Sequence, residues 1–222
     1  RKMGMEQGSV INFYLNGRLQ FSSSDEHIYH SYLVMPALAA SARQDNVLII
    51  GGGDGLALRD VLTWQPDHVT LVDLDKELID IFKNPDNYLP QRLASQLSTL
   101  VDGSLTDERV NIINDDAFLA VDQLIKQGKY FDTIIVDLPD PSHPDLNKLY
   151  SVHFYAKLNQ LLTGDGAISI QSTSPYHAKD AFITVKNTLA AAGFPQVEQY
   201  HDNVPSFGEW GWTIATKIGA SP

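Results

Sequence analysis

The stretch from Asn46 to Asp75, NVLIIGGGDGLALRDVLTWQPDHVTLVDLD, constrains the fold of this chain more than any other. Val47-Leu48-Ile49-Ile50 is short, continuous and rich in β-branched residues, which predicts a strand buried on both faces. It runs into Gly51-Gly52-Gly53-Asp54-Gly55, and Leu56 to Trp64 then shows helical spacing. A second strand is expected from Val69 to Val72, ending on Asp73 and Asp75. A strand, a glycine turn, a helix and a further strand form the nucleotide-binding half of a doubly wound α/β sheet. Glycines let the backbone approach a ligand closely, and the helix start offers free N–H groups.

The loop departs from the dinucleotide pattern in a telling way. A pyrophosphate fingerprint requires Gly-x-Gly-x-x-Gly, and Leu56 stands where the third glycine belongs. What remains is Gly51-x-Gly53-x-Gly55 with a carboxylate, Asp54, inside it. That carboxylate would repel a phosphate and attract a cation, so sulfonium nucleosides such as S-adenosylmethionine and its relatives are the candidates. Asp73, about 20 residues after the first glycine, suits a ribose diol. The plain alternative is a tight strand-to-helix turn with a solvated aspartate.

The remaining strands extend the argument. Strands are expected at Val110–Ile113, Phe131–Val136 and Ala167–Gln171, with helices at Lys76–Phe82, Gln91–Leu100, Phe118–Gln127, Val152–Leu162 and Ala178–Ala192. The third strand closes on Asn114-Asp115-Asp116-Ala117, and the fourth on Asp137-Leu138-Pro139-Asp140-Pro141. In an open α/β sheet the carboxyl ends of the strands form one crevice. Asp54, Asp73, Asp116, Asp137 and Asp140 should therefore converge there. Each one alone is ordinary turn chemistry; together, at consecutive strand ends, they suggest a site. The segment from Pro139 to Tyr150 holds three prolines, lacks periodicity and is expected to cover the crevice as a loop or lid. Gln196–Tyr200 and Trp210–Thr216 should form an antiparallel hairpin at the sheet edge. Near the start, Asn16-Gly17 is a hairpin turn within residues 9–21. Asp25, Glu26, Tyr29 and His30 then crowd polar groups ahead of an apolar helix around Tyr32 to Ala42; the bland reading is an acidic helix start.

Composition narrows the partners. Hydrophobic residues make up 43% and charged residues 19% of 222, enough for one core. The formal net charge of −11 argues against nucleic acid and is compatible with cationic small molecules. Cysteine is absent, which excludes thiolate chemistry and fits a reducing compartment. No run approaches the roughly 20 apolar residues of a membrane span. A chain opening on Arg1 reads as a fragment or processed form. The seven histidines are scattered, so no metal is expected, and His143 reads as a loop residue. Ser172 and Ser174 lack a nucleophile elbow.

These residues resemble the polyamine aminopropyltransferases, the spermidine synthase family. The matching pieces are LNGRLQ at Leu15–Gln20, DEHIYH at Asp25–His30, IIGGGDG at Ile49–Gly55 and DDA at Asp115–Ala117. FDTIIVDLPDP at Phe131–Pro141, LYSVHFY at Leu149–Tyr155 and QSTSPY at Gln171–Tyr176 follow in the same order. The forms VDLD, DLPDPSHP and NVPSFGEWGW look most like the long members, in which a multi-pass membrane domain precedes the synthase domain. The resemblance implies a methyltransferase-like sheet behind a small N-terminal β-hairpin region, residues 1–30, with the nucleoside-binding domain over residues 31–222. It implies transfer of an aminopropyl group from decarboxylated S-adenosylmethionine, a co-substrate, to putrescine or a related polyamine, with no resident cofactor. It also implies a homo-oligomer, and a cytoplasmic domain on a full-length protein of the cell membrane.

Carried over residue by residue, Gly51, Gly53 and Gly55 would form the donor loop and Asp54 would take the ammonium of the aminopropyl arm. Asp73 would hold the ribose hydroxyls, Asp116 and Ala117 the adenine, and Pro144 the lid side of the nucleoside. Asp137 would be the catalytic base, because a protonated amine is no nucleophile until it loses its proton. Asp140 would anchor the acceptor, oriented by Tyr29 and His30. The chain departs from the family pattern in lacking a Tyr-Gln pair ahead of the hairpin, and in Ser31, Asp73 and Phe207, where glutamate, glutamate and tyrosine are usual. These departures bear on the acceptor more than on the donor. A methyltransferase using S-adenosylmethionine and a non-catalytic polyamine- or nucleoside-binding domain are the alternatives.

Overall fold

A computed structural model describes residues 10–139 and 144–217. Strands β1 (Asn12–Leu15) and β2 (Arg18–Ser22) pair antiparallel around Asn16-Gly17, both at positive φ as a tight hairpin requires. The hairpin docks through an aromatic cluster in which Phe13 and Phe21 lie 5.6 Å apart and Phe13 meets Phe82 edge-on at 5.1 Å. Phe82 belongs to α3 (Lys76–Lys83), so the hairpin sits against the large sheet unit rather than beside it.

That sheet contains seven strands: β3 (Asn46–Gly51), β4 (His68–Val72), β5 (Val110–Ile113), β6 (Phe131–Asp137), β7 (Leu162–Gln171), β8 (Gln196–Val204) and β9 (Gly208–Thr216). Their order is β5-β4-β3-β6-β7-β9-β8, parallel except for β9, which runs antiparallel to both β7 and β8. This is the methyltransferase-like doubly wound sheet, with its antiparallel hairpin at one edge and the small N-terminal hairpin in front. Chain order reverses between β3 and β6, and a crevice opens at their carboxyl ends there. Helices α1 (Glu26–Ala40), α2 (Leu56–Leu62), α3 and α4 (Gln91–Val101) border one apolar cluster; α5 (Ala117–Lys126), α7 (Val152–Leu161) and α8 (Lys179–Ala191) border the other. Ile49 and Ile135 face the first cluster while Leu48, Ile50 and Ile134 face the second, as the strand period of two dictates.

Three elements differ from the sequence expectation. Helix α1 begins at Glu26, not near Tyr32, so Tyr29 and His30 ride on the helix rather than on a polar approach to it. Pro36 lies inside α1 and has no N–H to offer the Tyr32 carbonyl, which instead accepts from the Tyr200 hydroxyl at 2.6 Å. Strand β7 starts at Leu162, directly after α7, with Gly164 and Gly166 within it. Its pairing with β6 slips between Phe131 and Thr133, and a side chain at Gly166 would stand 2.7 Å from the Asp132 carbonyl oxygen. Both glycines lie in this irregular stretch of β7, ahead of the expected start of the strand at Ala167. After β6, the segment expected to be an irregular lid carries a short helix α6 (Pro144–Asn147) and a 3-10 turn (Lys148–Tyr150). Asp140 and His143 lie outside the described residues.

Candidate active site

A cavity of about 910 Å³ occupies the crevice. Lining it are Gly51, Gly53 and Asp54 from the glycine loop, Asp73 after β4, Asp116 and Ala117 at the start of α5, and Asp137 at the end of β6. Tyr29 and His30 of α1 line it too, as do residues of the β1–β2 hairpin and of the β8–β9 turn. Four of the five expected carboxylates thus meet in one space. Gly55 stands behind the wall, where Ser104 Oγ donates to its carbonyl at 2.8 Å. Pro144 is the first residue of α6.

The loop is shaped by what it must pass. Gly51 has φ +81°, and a side chain there would lie 2.2 Å from the Asp137 carbonyl oxygen. Only glycine lets β3 turn away that close to β6. Gly53 donates its N–H to Asp73 Oδ2 at 2.8 Å, and a Cβ on it would approach the same oxygen to 2.8 Å. Asp73 Oδ1 accepts from the Asp75 N–H at 2.8 Å, so the backbone fixes this carboxylate at the rim. Asp75 itself caps α3, accepting from the Leu78 N–H at 2.9 Å.

The carboxylates differ in character. Burial pushes Asp54 up to about 6, against the pull of the nearby His30 charge and a hydrogen bond from the Leu56 N–H. Burial also raises Asp137 above the usual carboxylate range, offset in part by His30 and by Tyr29, whose hydroxyl donates to Asp137 Oδ1 at 2.6 Å. Asp73 is raised for the same reason, with the backbone N–H groups of Asp75 and Gly53 opposing. Asp116 goes the other way: burial is outweighed by Lys148, whose ammonium lies 2.6 Å from Oδ2, and by the Phe118 N–H on Oδ1 at 2.8 Å. A raised, desolvated pair at Asp54 and Asp137 is what a cationic ligand or a proton transfer would use.

Several further contacts brace the site between partners that the sequence did not pair. Lys148 clasps Asp116 from the far side of the lid segment. Asp25, 4% exposed, accepts from the Ser206 N–H at 2.6 Å and its hydroxyl at 2.9 Å, tying the start of α1 to the turn that carries Phe207. Gln171 donates to the Leu138 carbonyl at 2.5 Å and accepts from the Thr173 N–H at 3.1 Å, bracing the chain just beyond Asp137. Trp210 lines the cavity beside Phe207, and its indole N–H is buried without a hydrogen-bond partner. Under His30 lie Glu26 and Arg59, where only the spacing of four between Glu26 and His30 gave a local signal. Among the described residues, no group of three or more His, Asp or Glu could hold a metal ion, and no helix is long and apolar enough to cross a membrane.

Comparison with known proteins gives a consistent picture. Residues 26–220 match the spermine/spermidine synthase domain family. The polyamine aminopropyltransferase of Shewanella oneidensis is 62% identical over 219 residues, which are 99% of this chain and 38% of that protein. The polyamine aminopropyltransferase of Oceanobacillus iheyensis is 40% identical over 208 residues, covering 93% of this chain and again 38% of the relative. This chain therefore spans well under half the length of these curated relatives. Among solved structures, a spermidine synthase in complex with the transition state analogue AdoDATO superposes with a TM-score of 0.78 at 27% identity, over 93% of this chain and 66% of that one. Spermidine synthase from Thermotoga maritima gives 0.76 at 27% identity, over 93% and 65%.

Proposed function

Because the chain belongs to the spermine/spermidine synthase domain family, we propose that it moves the aminopropyl group of decarboxylated S-adenosylmethionine to putrescine or a related amine. The products are spermidine, or its analogue, and methylthioadenosine. The observation that carries this reading is the desolvated Asp54 carboxylate in the glycine loop, sharing one cavity with Asp137. The donor's arm ends in an ammonium that Asp54 would take. S-adenosylmethionine carries a carboxylate beside that ammonium, and two like charges about 4 Å apart repel by roughly 4 kcal/mol at an effective dielectric near 20.

The roles follow from the chemistry each position offers. Gly51, Gly53 and Gly55 shape the nucleoside loop, Asp73 accepts from the ribose hydroxyls, and Asp116 with Ala117 faces the adenine. Pro144 bounds the nucleoside from the lid side. Asp137 accepts the proton of the attacking amine; the nitrogen then bonds to the methylene carbon next to sulfur, and the carbon–sulfur electron pair returns to sulfur as it becomes a neutral thioether. Tyr29 holds the Asp137 carboxyl in place through its hydroxyl. Asp140 anchors the acceptor, and His30, on α1, faces the charges of Asp54 and Asp137. Phe207 keeps an apolar wall for the methylene chain. The same reading divides the chain into a hairpin region, residues 1–30, and the transferase domain, residues 31–222, with Tyr29 and His30 at the seam. It includes a homo-oligomer, and in a full-length chain a membrane domain ahead of a cytoplasmic synthase domain.

Calorimetric titration tests the donor side directly. The decarboxylated donor is expected to bind at least about tenfold more tightly than S-adenosylmethionine, the equivalent of 1.4 kcal/mol. Equal affinities would remove the role given to Asp54.

A further inference from the structure

His30 is 2% exposed, yet it lines the cavity. Its Nδ1 lies 2.7 Å from Glu26 Oε2 and 2.9 Å from the Glu26 carbonyl oxygen, one helical turn earlier. A ring nitrogen facing two oxygens must carry a proton and donate. Glu26, 4% exposed, is itself gripped by the Arg59 guanidinium, with Nη1 3.0 Å from Oε1 and Nη2 3.1 Å from Oε2. Arg59 is set in turn by the Leu100 carbonyl at 3.0 Å and by Asp60 at 2.8 Å. Neither Glu26 nor Arg59 lines the cavity, so this buried fork reaches the site only through His30.

With Nδ1 turned onto Glu26, Nε2 is the nitrogen left for the cavity side. The charges acting on the ring from there are Asp54, from the glycine loop, and Asp137, from β6. Tyr29 of α1 packs edge-on at 5.0 Å and donates a hydrogen bond from its hydroxyl to Asp137. From the β8–β9 turn Ser206 and Phe207, and from β9 Trp210, reach the cavity and bring no ionisable group. The ring is thus held between one paired carboxylate behind and two desolvated carboxylates in front. The hydrogen bond to Glu26 fixes a proton on Nδ1, and the two carboxylate charges in front favour a second proton on Nε2.

We propose that Glu26, braced by Arg59, is a positioning residue that locks His30 as an imidazolium, and that this fixed cation keeps Asp54 and Asp137 ionised inside the cleft. The catalytic half of the proposal rests on the aminopropyl-transfer reading; the charge state of His30 does not. Despite burial, the hydrogen bond to Glu26 and the charges of Asp137 and Asp54 raise His30 to about 9, and Glu26 is held down at about 2 by His30 and Arg59 against its own burial. A cation at this place has two consequences. It supplies the counter-charge that two carboxylates need when water is excluded. It also repels an ammonium, so the amine that enters beside His30 is favoured in its neutral, nucleophilic form, and His30 does not itself hold the charged end of the acceptor.

Nitrogen NMR of the His30 ring decides the first half on the wild-type protein, whose folding is not in question. Both ring nitrogens are expected to be protonated at about pH 7.5; one unprotonated nitrogen there overturns the proposal. In Glu26→Gln, which keeps the shape and removes the charge, the titration midpoint should fall by about two units or more, and Glu26→Asp should recover most of that shift. The acid limb of kcat/KM for the diamine should move up by about one unit in Glu26→Gln, a roughly tenfold loss on that limb. A limb that stays in place while His30 has become neutral contradicts the catalytic half. A doubly protonated ring in a protein that makes no methylthioadenosine would leave the cation standing and refute the transfer reading instead.

Discussion

Asp137 enters the cavity with one oxygen engaged by Tyr29, which leaves the other for an incoming proton. Asparagine keeps the shape and the hydrogen bond but cannot take a proton near neutral pH. Asp137→Asn should therefore lower turnover at least about 100-fold, with donor affinity little changed, as single-turnover and binding measurements would record. Survival within a few-fold would assign the base to another group. Asp54 carries a pH dependence of definite sign. Its folded value near 6 lies above the ordinary 3.8, so it is protonated more readily than a surface aspartate. An ammonium needs it ionised, so donor Kd should be flat above about pH 6 and rise about tenfold per unit below it. A flat profile down to about pH 4.5 would mean that another group holds the ammonium. At this scale the sequence was legible at the strand ends: Asp54, Asp73, Asp116 and Asp137 could be placed in one cavity because chain and crevice run in register. The supports were not. Arg59 meets Glu26 across 33 positions, Lys148 meets Asp116 across 32, and Ser206 meets Asp25 across 181, with no local pattern to announce any of them.

The glycine loop is the element on which the site depends. Strand β3 must turn where β6 ends, and Gly51 makes that passage with its nearest foreign atom, the Asp137 carbonyl oxygen, 2.2 Å from where a Cβ would be. Gly51→Ala must shift one strand end against the other and also hold a strained φ, at a cost of about 2–4 kcal/mol. Thermal denaturation should register that loss, and turnover should fall with it because Asp137 moves; an unchanged Tm would mean that the loop has slack. The strands β3, β4 and β6, and the half-buried edge strand β5, were readable as elements because short apolar β-branched runs have few other fates. Helix α1 was placed too late because its first turn is polar, although the Glu26–His30 pair sits one turn apart within it. The strand β7 was drawn too short because glycine ends helices more often than it makes bulges. What the helical piece Pro144–Asn147 does lies in a proline-rich segment without periodicity, where no pattern distinguishes a turn of helix from a loop.

Over the whole molecule, a chain of net charge −11 brings the desolvated carboxylates Asp54, Asp73 and Asp137 together where the order of the parallel sheet reverses. A net charge of this sign favours the approach of cations. The N-terminal hairpin adds a wall from Phe13 to Gln20 and is fastened by its aromatic contacts with Phe82. The class of sheet and its ligand face follow from the order of strands and acids along the chain. The joining of both hairpins over one cavity depends on contacts between distant parts of the sequence. The products of the reaction distinguish aminopropyl transfer from methyl transfer most directly. With decarboxylated S-adenosylmethionine and putrescine, mass spectrometry should find methylthioadenosine and spermidine in equal amounts, and S-adenosylmethionine should yield no S-adenosylhomocysteine. Formation of S-adenosylhomocysteine, or of neither thioether product by a chain that binds the donor, would contradict it.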